Sequence, residues 1–199
     1  MKTINWILTC MILYISTAFT SANLNAQKAT FGIYEIAKIV EVPNSLINLL
    51  KTNNIQFNKN AQSQAIGYLS AEEYAKICMN LSVDNVRFIK STYTVDNSKK
   101  NFEFAIVKYI PAISVSDIQS TNNKGNNVEI YFNLKGARKW ADLTKNNIGK
   151  IVAFVIDNQI YTIPVIQLEI RSGEAIINGL KDEKTAESIS SRLNSAIQK

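Results

Sequence analysis

Residues Val128–Gly179 read VEIYFNLKGARKWADLTKNNIGKIVAFVIDNQIYTIPVIQLEIRSGEAIING. Val128, Ile130, Phe132 and Leu134 alternate with Glu129, Tyr131 and Asn133. That period of two predicts a strand with one apolar face. The period then changes. Ala137, Trp140, Ala141 and Thr144 fall at helical spacing, with Arg138, Lys139, Asp142 and Lys145 on the other side. Asn147-Ile148-Gly149 stops the helix, and Gly149 suits the left-handed residue just past its end. Lys150 to Ile156 is a nearly unbroken apolar run, the mark of a strand covered on both faces. Asp157-Asn158-Gln159 reads as a turn and Ile160 to Val165 as the returning strand. Ser172-Gly173 is a further turn before a short strand at Ala175-Ile176-Ile177. This order of periods predicts an α+β unit, a mostly antiparallel sheet with helices on one face.

With those residues in place, the stretch resembles the head of the first periplasmic domain of SecD, the accessory subunit of the bacterial Sec protein-export machine. The positions that carry the resemblance as structural motif residues are Gly136, Ala137, Thr144, Gly149, Asp157, Pro164, Gly173 and Gly179, together with Asn147, Ile148, Ala153, Ile166 and Ile177. It spans Ile113 to Ala196, and Ile163 departs from it, standing where the family has a small residue. The resemblance implies a non-enzymatic module that contacts polypeptide or an envelope protein partner in protein export. A scaffolding part of an envelope complex and an unrecognised enzyme are the alternatives. SecD proteins are membrane-embedded and use the proton gradient to help pull chains outward. No segment here after the first is apolar and long enough to span, so the motor role does not carry over.

Working outward, residues 1–26 read as a signal peptide: Lys2, an apolar run from Trp6 to Phe19, then small and polar residues ending in Leu24-Asn25-Ala26. Cleavage there predicts a periplasmic or secreted protein. Membrane association is then expected only if the signal is uncleaved or through a Sec partner. Residues 27–111 read as an N-terminal α+β region, and residues 112–199 as the head-like domain. In the first region Phe31 to Val40 is a candidate strand, and Pro43 opens a helix through Leu46, Leu49 and Leu50. Ser70-Ala71-Glu72-Glu73 is a capping box ahead of a helix carrying Tyr74, Ile77, Cys78 and Leu81. Val86 to Val95 and Phe102 to Tyr109 predict a hairpin closed by Pro111. In the head, Ser120 to Asn127 reads as a polar loop with a hinge at Gly125. Asp182 caps the last helix, whose core line is Ala186, Ile189, Leu193 and Ala196.

The composition narrows the chemistry. The net charge is +6, but the cations are scattered, so the reading is solubility and no nucleic-acid partner. There is no histidine, hence no imidazole base and no His metal ligand. Cys78 is the only cysteine after residue 26, so once residues 1–26 are removed no intramolecular disulfide is possible, and its helical position predicts a buried small hydrophobe. None of the seven glycines lies in a phosphate-cradling or nucleophile-elbow pattern. Catalytic, cofactor and metal residues are therefore none. Asp157 reads as a turn former and Trp140 as core, packed against the Ile189/Leu193 face. The Ile160–Val165 strand is a candidate docking surface for an unfolded chain, because Pro164 suits a sheet edge, and the favoured alternative is that the same proline only blunts that edge against aggregation.

Overall fold

The computed structural model describes residues 29–61, 63–81, 83, 85–95 and 100–198. The signal peptide expected over 1–26, and 96–99 of the hairpin connection, lie outside them. In chain order the elements are β1 (Phe31–Glu35), α1 (Asn44–Thr52), β2 (Ile66–Ser70), α2 (Ala71–Asn80), β3 (Val86–Thr94), β4 (Asn101–Lys108) and β5 (Ile113–Ser114). There follow β6 (Ile118–Lys124), β7 (Asn127–Phe132), α3 (Leu134–Asn146), β8 (Val152–Ile156), β9 (Gln159–Thr162), β10 (Glu174–Ile177) and α4 (Glu183–Ile197). The fold is α+β and mostly antiparallel.

The strands make a seven-stranded sheet, β2-β4-β3-β9-β8-β1-β5, and a three-stranded one, β10-β7-β6. All pairings are antiparallel except β3 with β9, which meet at Ser91 and Ile160. The larger sheet curls back on itself. Past β1, Ile36 bridges to Val107, and the Ala37 N–H donates to the Ile106 carbonyl at 2.9 Å. The ring β1-β8-β9-β3-β4 is thereby closed, so these strands have no free edge where they meet. Inside it lie Tyr34, Ile36, Ile66, Ile89, Ala105, Val107, Ala153, Val155 and Ile160. Ala105 and Ala153 keep this narrow interior from overfilling. Ile163, the departure from the family pattern, packs against the same cluster.

Period-two alternation sends the other residues of these strands outward into two further cores. Phe88, Phe104 and Ile106 meet α1 and α2 through Leu46, Leu50 and Ile77. Phe31 and Ile33 of β1 and Val152, Phe154 and Ile156 of β8 meet the three-stranded sheet, α3 and α4. Every β8 residue is consequently buried, as its unbroken apolar run requires.

Four expectations are corrected. The head strands do not share one sheet: β7 and β10 belong to the small sheet, β8 and β9 to the large one. Ser120–Lys124 is not a loop but most of β6, paired with β7 through a two-residue turn at Gly125-Asn126. Its polar look arises because only Ile118 and Thr121 face inward, and α4 covers them. Cys78 is exposed, because Ile77, one step round α2, takes the buried line. Finally, β9 lies between β8 and β3, so it is no edge, and Pro164 falls beyond its end.

Local signals hold elsewhere. At the start of α2 the Glu73 N–H donates to Ser70 Oγ at 3.2 Å and the Ser70 N–H to Glu73 Oε2 at 2.7 Å. Asp182 caps α4, accepting from the Thr185 N–H at 2.8 Å. Gly149 has φ +79°, a left-handed value that a side chain would resist.

Candidate functional site

An apolar groove of about 510 Å³ lies along β10, walled on the other side by the connection from β9. Its floor is Trp140, Phe154, Ile166 and Ala175, all of them buried. Its rim is Val165 and Leu168, respectively 46% and 62% exposed. A large aliphatic side chain held in water costs roughly 1.5–3 kcal/mol against full burial, and two beside one groove make a surface suited to apolar ligands.

The floor is rigid. Trp140 is 2% exposed and packs tilted on Phe132 at 5.9 Å and edge-on to Phe154 at 6.0 Å between ring centroids. Its Nε1–H donates to the Glu174 carbonyl at 2.9 Å, which orients the indole against β10. It shares one core with Ile189 and Leu193, as expected.

The motif residues build this frame. Gly136 opens α3, donating its N–H to Asn133 Oδ1 at 2.9 Å. A Cβ there would sit 2.1 Å from the Asp117 carbonyl, so only glycine admits this approach. Ala137 half-buries against the core, beside the turn of Gly173. Thr144 is fully buried, and its hydroxyl donates to the Trp140 carbonyl at 2.8 Å and accepts the Ile170 N–H at 2.9 Å. It thus ties the wall to the helix under the floor. The Gly149 N–H donates to the Ile166 carbonyl at 2.8 Å, fixing the wall's other end, and Pro164 lines the groove itself. Gly173 and Gly179 turn the chain into and out of β10, and the Gly179 N–H donates to Asn127 Oδ1 at 3.2 Å. Asp157 stands apart from the groove. It forms the β8–β9 turn at φ +49°, accepts the Thr30 N–H at 3.0 Å and pairs with Arg192 of α4.

The two edges of the small sheet are finished differently. On β6, Asn194 of α4 accepts the Thr121 N–H at 2.8 Å and donates to the Thr121 carbonyl at 2.9 Å, taking the place of a neighbouring strand. Buried Gln64 does the same to the backbone of Ile151, with both bonds at 2.8 Å. On β10 no strand follows among the described residues. The Phe132 N–H donates to the Gly173 carbonyl, so Ala175 and Ile177 also face β7 and the peptide groups of Glu174 and Ile176 point outward. On this edge Trp140 Nε1–H fills the Glu174 carbonyl, and the groove borders the part left open at Ile176.

Residues 91–197, more than half of the chain, match the family model described as "SecDF, P1 head subdomain". The chain belongs to the SecDF P1 head family. A protein translocase subunit SecDF of Thermus thermophilus is 41% identical over 68 residues, 34% of this chain and 9% of the relative. A protein translocase subunit SecD of Rhodothermus marinus is 43% identical over 68 residues, 34% of this chain and 11% of its own. The chain thus spans about a tenth of the length of these curated relatives. A solved chain of SecDF, described as a membrane component that enhances protein export, aligns at 18% identity and a TM-score of 0.45, over 86% of this chain and 94% of its own. Among the described residues no helix is long and apolar enough to cross a membrane.

The P1 head match begins at residue 91, inside β3. The groove itself was missed by periodicity, because its wall is neither strand nor helix. The available signal was the run Ile163–Ile170, which carries five aliphatic residues besides Pro164 without a second strand to spend them on.

Proposed function

We propose that this chain is a non-enzymatic polypeptide-binding module of protein export, working in the periplasm or outside the cell once residues 1–26 are removed. In this reading residues 112–199 form the binding head and residues 27–111 the base that completes its sheet. The curated relatives are translocase subunits, and a chain in transit is unfolded, with apolar side chains and main-chain groups both unsatisfied. The observation that carries the proposal is the apolar groove floored by Trp140 and Phe154, which offers burial to the former next to an edge that offers pairing to the latter. Affinity is weak, because an unfolded partner loses conformational entropy as it is ordered.

Trp140 is the only tryptophan after residue 26, so its emission reports on the groove directly. Titration with a tryptophan-free, reduced and alkylated, permanently unfolded protein should shift that emission with a Kd of roughly 10–1000 μM, the range of weak complexes. Leu168→Lys, at an exposed rim position, should abolish the shift and leave the urea midpoint in place. An unchanged emission at millimolar ligand would remove the binding reading and leave a scaffold in an envelope complex.

A further inference from the structure

The proposed polypeptide-binding reading leaves open which chains dock, and the two faces of β10 restrict them. We propose that the occupant is an extended segment that adds to β10 as a strand and alternates apolar with cationic residues. This rests on the reading above and goes further in naming the main-chain contact and the charge.

The edge supplies the backbone half. The Ile176 N–H and C=O point away from β7, whereas the equivalent outward groups of β6 at Thr121 are filled by Asn194. The small sheet therefore extends on the β10 side. An added strand keeps the pleat, so its residues alternate between the two faces of the sheet. Those aligned with Ala175 point to the groove side, over Trp140 and Phe154, and must be apolar. Those aligned with Glu174 and Ile176 point to the opposite face. There Glu174 is exposed and stands beside Tyr131 in register, and Glu129 stands beside Ile176. The two carboxylates crowd Tyr131, whose hydroxyl donates to Glu129 Oε2 at 2.9 Å. Lys124 is on that face but aligns with Asn127, beyond the end of β10. A lysine or arginine on the added strand meets uncompensated negative charge, and a carboxylate meets repulsion.

The test uses end-blocked heptapeptides with the purified protein and reads Trp140 emission. The parent alternates Val and Lys, and a second peptide alternates Val and Glu. Two more carry the parent sequence with N-methyl groups on the Val amides or on the Lys amides. The parent should bind, and the Glu peptide should bind at least roughly tenfold more weakly. One N-methylated peptide should lose roughly tenfold or more and the other should match the parent, because only alternate amides of an added strand face β10. Glu174→Lys should reverse the preference between the Lys and Glu peptides. Trp140 bonds the Glu174 carbonyl, a main-chain group that the variant keeps. If every peptide binds equally, strand addition and charge selection fail while the polypeptide-binding reading survives. If none binds, both fall. A dimer at the assay concentration that the parent peptide does not dissociate would assign the β10 edge to a second copy and overturn the proposal.

Discussion

Asp117 illustrates how one buried charge anchors a helix. Its side chain is fully buried, and Oδ2 accepts from the Ser114 N–H at 2.9 Å and from Lys139 Nζ at 2.7 Å. Burial pushes this carboxyl up, but the Lys139 and Ser114 hydrogen bonds and the Lys139 charge outweigh it and hold it below the ordinary carboxylate range. A depressed carboxyl stabilises the fold above its unfolded value, about pH 4, and that contribution fades as the pH falls through the lower folded value. Urea midpoints should thus fall on acidification below about pH 4. Lys139→Met should cost about 1–3 kcal/mol at pH 7 and flatten this limb; an unchanged acid limb would show that other carboxyls set it. Trp140→Ala should cost about 3–5 kcal/mol, and Trp140→Phe about 1 kcal/mol for the lost indole hydrogen bond, both by urea titration. A loss for the alanine variant under about 1 kcal/mol would mean the indole is not core. Trp140's burial was legible from helical spacing, but Asp117's was not, because the local Ser114–Asp117 bond fits an exposed cap equally well and the cation that pairs with it lies 22 residues on.

At the scale of elements, side-chain amides do the work of absent strands. Asn194 and Gln64 each bind a peptide group through both donor and acceptor. Asn194→Asp keeps the shape but removes the donor and sets a carboxylate against the Thr121 carbonyl. It should destabilise by about 1–3 kcal/mol, read as a lower urea midpoint, and hydrogen exchange should show faster opening of β6. An Asn194→Asp variant as stable as the parent would mean that β6 is held by β7 and helix packing alone. The strands and helices with strong periods were readable from sequence: β8 by its apolar run, α2 by its capping box, α3 by its stripe and its Asn147-Gly149 stop. β6 was not, because its inward positions are few and one is Thr121, satisfied by a side chain from a helix. Nor was the interior place of β9. Pro164 suggested an edge, yet the strand ends at Thr162, and the proline serves only as an acceptor, its carbonyl taking the Val152 N–H at 3.2 Å.

For the whole molecule, the closed ring of strands makes the two halves interdependent. β8 is paired with β1, and β9 with β3, across the division between residues 27–111 and 112–199. A fragment of 112–199 alone would expose the flanks of β8 and β9 and the apolar faces of Val155 and Ile160, whose partners Tyr34, Ile36, Ile89 and Val107 lie in 27–111. It should give disordered or molten spectra, and added 27–111 should restore dispersed NMR signals; a well-dispersed spectrum from the fragment by itself would refute this interdependence. Ring closure was illegible in the sequence, since pairings such as Ile36 with Val107 leave no local period. Closure also sets an order of events for a chain that emerges N-terminus first, from a ribosome or through a channel. Thr30 and Asp157, which bond where β1 meets the β8 turn, are 127 residues apart. β1 is among the first strands to appear, yet its partner in the ring comes near the end. High contact order of this kind slows folding. Until β8 has emerged, β1 has only its short pairing with β5 and the bridge from Ile36 to Val107, so a chain appearing in this order stays incompletely folded for most of its emergence.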